Sequence, residues 1–387
     1  MIPLSAPKFS GKEWLFLKRC LDSSWVSSSG RIVNDFERAV CRKFKARHAV
    51  ACVNGTASLF IALKLSGVMA QDEVIVPTVT FIAPINAVRY LGAEPVFMDC
   101  DEFLNLDGEK LADFCRRECR LTKDGLRNKL TGKIIKAVIA VHIFGSPCGL
   151  ERIKTICRQY RLKLIEDAAE SIGAYYTAGK YKGRFTGTIG DFGVYSFNGN
   201  KIITAGGGGM ILTGKKESAE QAFYLTNQAK DDPLRHIHHQ VGFNFRLSSL
   251  QSALGLAQLS YLDECIRIKK ENYALYKKLL SGIPGLGFLG NPEGTSPNYW
   301  FYSLLVERSE FGLDRDRLIA KLLKRQIQVR PLWLPNHLQR PYRKNQAYRI
   351  ERALWFWKRV INLPCSLALT KNQMRQVCLA IKGSRRD

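Results

Sequence analysis

A single lysine follows a short apolar segment near the middle of the chain. Residues 192–197 are apolar and aromatic apart from Ser196, which predicts a buried strand, and Lys201 comes just after them. An amine held among apolar neighbours is disfavoured as an ammonium ion, so more of it is a neutral nucleophile able to form an imine with an aldehyde. Glycines 206–209 let the backbone pack closely beside it. Lys201 is therefore a candidate nucleophile, and a surface lysine in a glycine-rich turn is the alternative.

Two carboxylates come directly after another apolar segment. Residues 162–165 predict a strand, and Glu166 and Asp167 follow it. Carboxylates at the end of a buried strand cost free energy unless they have a partner or a task. We therefore expect these two side chains to be paired or to take part in the chemistry.

A third pattern predicts an anion site. Residues 49–53 are strand-like, Asn54, Gly55 and Thr56 follow, and a helical pattern begins at Leu59. Where a strand turns into a helix, free backbone N–H groups and the helix dipole face a phosphate, and the Thr56 hydroxyl would add a donor. A turn of this composition is weak evidence when it stands alone.

The elements around these residues predict an α/β fold. Strand-like and helical segments alternate through the first 170 residues, and residues 136–144 form a nearly continuous apolar run. Such a run is typical of a central parallel strand buried on both faces, and the alternation predicts a mostly parallel sheet flanked by helices. Helices are expected from Gly108 to Arg120, from Leu250 to Leu280 and from Arg315 to Arg325, and an aromatic strand is expected over residues 298–306. Ligands of open α/β sheets bind where the strands end, so the three candidate groups should meet at one edge.

Several separated motifs, in the same order, resemble one known family. Residues 190–209 contain Gly-Asp-x-Gly, Ser-Phe-x-x-x-Lys and Thr-Ala-Gly-x-Gly-Gly, residues 166–169 read Glu-Asp-Ala-Ala, and residues 242–246 read Gly-Phe-Asn-Phe-Arg. From Trp14 to about Thr370 the chain resembles the DegT/DnrJ/EryC1/StrS family of sugar aminotransferases. The resemblance implies fold type I of the aminotransferases that depend on pyridoxal phosphate (PLP). It divides the chain into an N-terminal arm with an active-site loop (1–35), a large PLP-binding domain (36–255) and a small C-terminal α/β domain (256–387).

The resemblance also implies roles for individual residues. Lys201 would be the catalytic lysine, and Asp167 would face the pyridine nitrogen of the cofactor. The implied cofactor contacts are Gly55, Thr56, Phe81, Asp167, Ala169, Glu170, Ser196, Asn198, Lys201 and Asn244 of the partner subunit. The expected substrate contacts are Trp25, Ser28, Arg246, Trp333 and His337. Simple packing remains an alternative for Phe81, Trp333 and His337, and a plain surface connection is the alternative for the loop that contains Trp25 and Ser28.

Relatives with histidine at the lysine position act as dehydrases, so Lys201 favours transamination. The implied reaction moves the amino group of glutamate to C4 of a nucleotide-linked 4-keto-6-deoxy sugar, while the cofactor alternates between PLP and pyridoxamine phosphate. The motifs most resemble the bacillosamine and legionaminic-acid pathway enzymes, which predicts UDP-4-keto-6-deoxy-N-acetylglucosamine. Other UDP-, dTDP- or GDP-linked sugars of the viosamine or perosamine type are alternatives. The family pattern implies a homodimer with shared active sites.

Charge and composition leave two other classes open. There are 59 basic and 34 acidic residues, a net charge of +25, which would suit nucleic acid or another anionic partner. No nucleic-acid motif accompanies this charge, so we do not expect such a partner. A PLP-binding regulator without transaminase activity is the other alternative.

The remaining composition predicts a soluble protein without a metal. The eleven cysteines contain no C-x-x-C pair, and His236, His238 and His239 suit a solvated loop better than a metal site. No run of about 18 apolar residues occurs, so we expect no membrane span and a cytoplasmic protein.

Overall fold

The computed structural model describes residues 1–385, which form helices and strands in three sheets. The helices are α1 (Lys12–Asp22), α2 (Arg31–Phe44), α3 (Gly55–Leu65), α4 (Ala83–Tyr90), α5 (Gly108–Arg117), α6 (Leu150–Gln159), α7 (Lys216–Thr226), α8 (Ser249–Leu259), α9 (Leu262–Leu280), α10 (Arg308–Phe311), α11 (Arg315–Lys324), α12 (Arg352–Trp357) and α13 (Lys371–Gly383). The first ten strands are β1 (His48–Cys52), β2 (Glu73–Pro77), β3 (Glu94–Met98), β4 (Cys119–Thr122), β5 (Gly125–Asn128), β6 (Ile134–Val141), β7 (Lys163–Asp167), β8 (Tyr175–Tyr176), β9 (Phe192–Ser196) and β10 (Gly209–Thr213). The others are β11 (Leu286–Phe288), β12 (Thr295–Ser296), β13 (Tyr302–Val306), β14 (Arg330–Pro331), β15 (Ala347–Tyr348) and β16 (Val360–Leu363).

The large sheet has the order β1-β10-β9-β7-β6-β2-β3-β15, and the hairpin β4-β5 joins it through β6. The strands from β9 to β15 pair in parallel, whereas β10 is antiparallel to both of its neighbours. Strands β2, β6 and β9 are almost fully buried because apolar residues and helices cover both faces. This is the mostly parallel sheet that the sequence predicts.

The strand directions define two opposite edges of the large sheet. Strands β1, β7 and β9 run the same way, since β1 and β9 are both antiparallel to β10 and β9 is parallel to β7. Their last residues, Cys52, Asp167 and Ser196, therefore lie at one edge. The first residue of β7, Lys163, and the last of β10, Thr213, lie at the other edge.

A second sheet, β11-β13-β16-β14, is antiparallel and lies in the C-terminal part of the chain. Its core includes the fully buried Tyr276, Tyr302 and Phe311. The first residues of the chain also join this part, because Ile2 forms a bridge with Ile327. No helix among the described residues is both long enough and apolar enough to cross a membrane.

Three elements differ from the sequence prediction. The helix expected from Leu250 to Leu280 is divided at Ser260 and Tyr261, where the Ser260 hydroxyl donates to the carbonyl of Ala257 and competes with the helix backbone. The aromatic strand begins only at Tyr302. The preceding segment turns because Tyr299 has a positive φ of 53°. In the third case α5 ends at Arg117, before the hairpin β4-β5.

A buried carboxylate ties the large sheet to a helix near the C-terminus. Asp99 follows β3, and its side chain is fully buried. It accepts a hydrogen bond from Lys110 Nζ at 2.7 Å and from the backbone amides of Glu351, Arg352 and Ala353, each at 2.9 Å. Burial alone would raise the pKa of Asp99, but Lys110 and the amides hold it below its ordinary value of 3.8.

We expect Asp99→Asn to reduce the free energy of unfolding by about 3 kcal/mol at neutral pH, because Lys110 and the start of α12 lose a buried anion. The folded-state pKa is depressed, so this contribution is complete above the ordinary pKa of 3.8 and is lost as the pH falls through the lower folded value. Chemical denaturation at pH 7 and at decreasing pH measures the difference. Asp22→Asn, at an exposed pair with Lys18, should change stability by less than about 0.5 kcal/mol.

Candidate active site

A cavity of about 800 Å³ lies at the edge where β1, β7 and β9 end, between the large sheet and residues of the second sheet. Because strands that run the same way end at the same edge, the start of α3, Asp167 and Ser196 meet here, and Trp333 joins them from the C-terminal part of the chain. The cavity is lined by the predicted site residues Gly55, Thr56, Phe81, Asp167, Ala169, Glu170, Ser196, Asn198, Lys201 and Trp333.

Lys201 lies in the turn that follows β9. Its backbone amide donates to the carbonyl of Asn198 at 3.0 Å, which closes the turn. Its Nζ lies 4.0 Å from the centre of the Trp300 ring and 3.9 Å from Glu170 Oε1. Burial lowers the pKa of the Lys201 ammonium, while Glu170 and Asp167 oppose that shift. The amine is therefore more easily deprotonated than an exposed lysine, which a nucleophile requires.

Two acidic side chains face this lysine. Asp167 ends β7, is 4% exposed, and accepts a hydrogen bond from the amide of Ala169 at 3.0 Å. Glu170 accepts a hydrogen bond from the amide of Phe144 at 2.8 Å. Burial raises the pKa of both carboxyl groups, and that of Glu170 reaches about 7. The pair thus provides one group that can change its protonation near neutral pH.

The neighbouring carboxylate, Glu166, has a structural partner instead. It is fully buried and accepts hydrogen bonds from the amides of Gly187 at 2.7 Å and Ile189 at 2.6 Å. His142 Nε2 lies 3.1 Å from it, and His142 Nδ1 accepts from the amide of Cys148 at 2.9 Å, so Nε2 carries the proton. Of the two carboxylates that the sequence singled out, only Asp167 reaches the cavity.

The start of α3 forms one wall of the cavity. The side chain of Asn54 caps the helix by accepting from the amide of Ala57 at 2.8 Å, and the amides of Gly55 and Thr56 have no intrahelical partner. A side chain at Gly209 would lie 2.4 Å from the carbonyl oxygen of Asn54. The glycine run therefore allows β10 to approach the helix start closely, as the sequence predicts.

Aromatic side chains form the opposite wall. Phe81 is half exposed, and its ring centre lies 6.0 Å from that of Trp333. Trp300 stacks on Phe301 at 4.0 Å, and its indole N–H donates to the carbonyl of Asn200 at 2.8 Å. This hydrogen bond joins Trp300 to the residue before Lys201, so the ring is fixed beside the amine.

Five predicted site residues lie outside this cavity in the single chain. Arg246 forms a buried ion pair with Glu37 at 2.7 Å, and His337 Nδ1 lies 2.7 Å from the hydroxyl of Thr78. Asn244 is exposed. The other two, Trp25 and Ser28, lie in the loop that follows α1.

The structure adds lining residues that the sequence did not single out as site residues. Trp300, Arg315, Arg330 and Asn362 come from the C-terminal part of the chain. Arg330 has no carboxylate partner among the described residues, whereas Arg315 pairs with Asp316 at 2.9 Å. Arg330 and Trp333 are both visible in the segment Arg-Pro-Leu-Trp, but no local pattern distinguishes site residues there from packing residues.

Comparison with known proteins places the chain among sugar aminotransferases. The profile described as the DegT/DnrJ/EryC1/StrS aminotransferase family matches residues 10–382. The chain belongs to this family. GDP-perosamine synthase from Vibrio cholerae is 34% identical over 386 residues, which is 99% of either chain, and the Escherichia coli O157:H7 enzyme is 34% identical over 98% of this chain and 97% of its own.

Solved structures of family members have the same fold. The aminotransferase TlmJ from Streptoalloteichus hindustanus has a TM-score of 0.88 at 26% identity, covering 99% of this chain and 98% of its own. DesI, solved with its TDP-sugar product, has a TM-score of 0.86 at 28% identity, covering 100% and 92%. The chain is thus a PLP-dependent aminotransferase of the nucleotide-sugar type, and the predicted fold, enzyme class and cofactor are confirmed. The bacillosamine likeness is not confirmed.

The residues of the cavity fit this cofactor. The amides of Gly55 and Thr56, which have no partner within α3, suit a phosphate. The hydroxyl of Ser196 lies close to them, since a Cβ atom added at Gly55 would be 3.5 Å from its oxygen. Asp167 is buried and accepts only the amide of Ala169 within the described chain, which leaves it an oxygen for a further donor. Lys201 stands between these groups and the aromatic wall.

We expect Glu170→Gln to accelerate capture of PLP by the cofactor-free protein above pH 7, because Lys201 loses an anion that holds its proton. As the pH falls from 7 to 6 the wild-type Glu170 itself becomes protonated, so the variant and the wild type should converge. Stopped-flow absorbance over pH 6–9 measures this. Glu220→Gln, at an exposed pair with Lys216, is the matched control. Equal rates for Glu170→Gln and wild type above pH 7 would contradict the assignment.

Proposed function

We propose that this enzyme transfers the amino group of glutamate to C4 of a nucleotide-linked 4-keto-6-deoxy sugar. The observation that carries the proposal is the buried Lys201 amine, which faces Asp167 and Glu170 inside an 800 Å³ cavity whose wall includes the start of α3. A cavity of this size is within the range of small-molecule and cofactor sites. The cavity has room for a cofactor phosphate on one side of the Lys201 amine and a sugar on the other.

The cofactor end of the cavity would be held by residues of the large sheet. The amides of Gly55 and Thr56, with the hydroxyls of Thr56 and Ser196 and the side chain of Asn198, would bind the phosphate. Three further residues would contact the pyridine ring of PLP. Phe81 would stack on the ring and the small Ala169 would leave room for it. Glu170 would lie near its phenolic oxygen. When bound, PLP supplies an electron sink for the carbanion formed at the amino-acid α-carbon.

Two residues would manage protons. The carboxylate of Asp167 would keep the pyridine nitrogen of PLP protonated. Asp167 is buried near the cation of Lys201, so a positively charged pyridine ring would be a further favourable neighbour. Lys201 Nζ would remove the proton from the α-carbon of glutamate, acting as a general base. The lowered pKa of Lys201 suits that role, because the amine is neutral at a lower pH than an exposed lysine. Trp300 limits where the amine can move.

The sugar end would be formed by the C-terminal part of the chain. Arg330 lines the cavity without a carboxylate partner among the described residues, so it can bind a phosphate or carboxylate of a substrate. Trp333 offers a face beside it for a base or a sugar ring. His337 lies behind Thr78 and would contact the substrate only through a change of side-chain position.

The relatives favour a GDP-linked sugar of the perosamine type over the UDP-linked sugar expected from the motifs. GDP-perosamine synthases from three organisms are each 34% identical to this chain over nearly its whole length. We therefore propose the GDP-linked 4-keto-6-deoxy sugar as the acceptor, with the UDP-linked N-acetyl sugar as the comparison compound in the test below.

We also propose a homodimer with shared active sites. Asn244 is exposed and outside its own cavity, as expected of a residue that serves the partner. Large apolar side chains are exposed on α1 and on the loop after it, including Trp14 (68%), Leu21 and Trp25 (59%). An exposed apolar surface of this kind suits a subunit interface. Trp25 and Ser28 would then reach the neighbouring cavity, and Arg246 would position the Asn244 segment.

The first test follows the absorbance of the purified, PLP-loaded protein. Glutamate should bleach the visible absorbance band of the bound PLP, and the GDP-linked keto sugar should restore that band. The UDP-linked N-acetyl sugar should restore it at least about tenfold more slowly. Lys201→Ala should lower turnover by a factor of at least about 10² from lost proton transfer alone, whereas Lys216→Ala at an exposed site should not. A band that bleaches but returns with neither sugar would overturn the acceptor and keep the aminotransferase.

The second test mixes two inactive variants. Lys201→Ala and Asn244→Asp chains are expected to be nearly inactive separately, because each removes one part of every active site. In a hybrid dimer, one of the two sites contains an intact Lys201 and an intact Asn244 of the partner subunit. With half of the dimers hybrid and half of their sites intact, activity should return to about one quarter of wild type.

A control pair removes two residues that serve the same chain's cavity. Hybrids of Lys201→Ala and Asp167→Asn should remain inactive, because neither site is intact. The activity of the Lys201→Ala/Asn244→Asp hybrids is compared with that of wild-type protein purified in the same way. If their activity does not return, Asn244 does not serve the partner's site.

A further inference from the structure

Two adjoining cavities lie at the edge of the large sheet opposite the active site. Each has a volume of about 400 Å³, and they share Lys154, Gly190 and Gly214. They are formed where β7 and β9 begin and where β10 ends. The length of strand β7 separates this edge from the active site. Its first residue, Lys163, lines one of the basic cavities, and its last residue, Asp167, lines the active-site cavity. Four residue steps along a strand correspond to roughly 13 Å.

The lining of these cavities is strongly basic. The lysines and arginines around them are Lys45, Arg47, Lys154, Arg158, Arg161, Lys163, Arg184 and Lys215. Asp191 is the one carboxylate in the lining, and it pairs with Lys163 at 3.3 Å. Among residues 1–385, none of the other seven forms an ion pair with a carboxylate. Eight of the chain's 59 basic residues therefore meet at one place beside a single carboxylate.

Lys154 lies between the two cavities. It is half-buried on α6, and its amine donates to the carbonyl of Ile189. Burial lowers the pKa of Lys154, and the neighbouring Arg158 and Arg184 lower it further. Glu166 and Asp191 act in the opposite direction but do not compensate. Like charges held this close repel one another, and a bound anion would relieve the repulsion.

The wall between the cavities is rigid. Glu166 accepts hydrogen bonds from the amides of Gly187 and Ile189, which holds this loop against β7. A side chain at Gly190 would lie 2.7 Å from the carbonyl oxygen of Leu164, so the loop packs against the strand without space to spare. The backbone of this wall is therefore already in place before a ligand binds.

We propose that the paired cavities form a second anion site, which binds a small molecule carrying two or more phosphate groups. Seven cations without carboxylate partners among residues 1–385 supply the charge, and arginine and lysine are side chains that commonly bind phosphate oxygens. Two concave spaces of about 400 Å³ fit linked phosphates or a nucleotide. A nucleic-acid duplex instead needs an extended basic surface. The proposal is independent of the sugar on which the enzyme acts.

The test uses pyrophosphate as the probe and the PLP-loaded protein in a buffer free of phosphate, with isothermal titration calorimetry as the measurement. Lys154→Gln and the double variant Arg47→Gln/Arg158→Gln should each weaken binding at this site at least about tenfold. The matched control Lys371→Gln/Arg375→Gln removes two positive charges from exposed positions on α13 and should change the affinity less than about twofold.

The active site can also take phosphates, so the titrations are repeated on Arg330→Gln, which should keep the binding that the Lys154→Gln variant loses. The Lys154→Gln and Arg47→Gln/Arg158→Gln variants should keep the PLP absorbance and melting temperature of wild type, because none of Lys154, Arg47 and Arg158 lines the catalytic cavity. Equal affinities for wild type and Lys154→Gln, or an equal loss in the α13 control, would overturn the proposal. So would a 20-base-pair DNA duplex that displaces pyrophosphate and binds more tightly in a Lys154-dependent way.

Discussion

Burial of the Lys201 amine is the constraint around which the active site is arranged. A cation removed from water is costly, and the protein compensates by placing Glu170 at 3.9 Å, the Trp300 ring at 4.0 Å and Asp167 nearby. The compensation is incomplete, so the pKa of the lysine stays lowered. An amine that was either fully exposed or fully neutralised would not combine shielding from water with easy loss of a proton.

The large sheet provides these partners because its strands run in the same direction. Asp167 and Ser196 are the last residues of the neighbouring parallel strands β7 and β9, and the start of α3 follows β1 at the same edge. Adjacent residues of β7 then serve different structures. Asp167 faces the cofactor cavity, whereas Glu166 holds the loop that forms the wall of the basic cavities. One strand thereby connects the active-site cavity with the wall of the basic cavities.

Much of the fold was predictable, since its signals are local. Apolar runs and helical periodicity gave the positions of β6, β7, β9 and α11, and the Asn54 turn gave the start of α3. Element ends were predicted less well. The break between α8 and α9 depends on a side-chain hydrogen bond of Ser260. Likewise the late start of β13 depends on Asn298, whose side chain bonds to Glu170 and Ile172 far away in sequence. Contacts of this kind leave no periodic pattern.

By itself the sequence predicted a candidate nucleophile, a carboxylate after a strand and a helix start, because each is a short segment with its own physical meaning, and its motifs resembled the family that implies the cofactor and the enzyme class. Only the tertiary structure decided which groups surround them. Trp300 and Arg330 enter the cavity from the C-terminal part of the chain, Arg246 turns away to pair with Glu37, and scattered basic residues meet at the far edge. The reason is that burial and pairing of a charge depend on neighbours in space, which chain order does not specify.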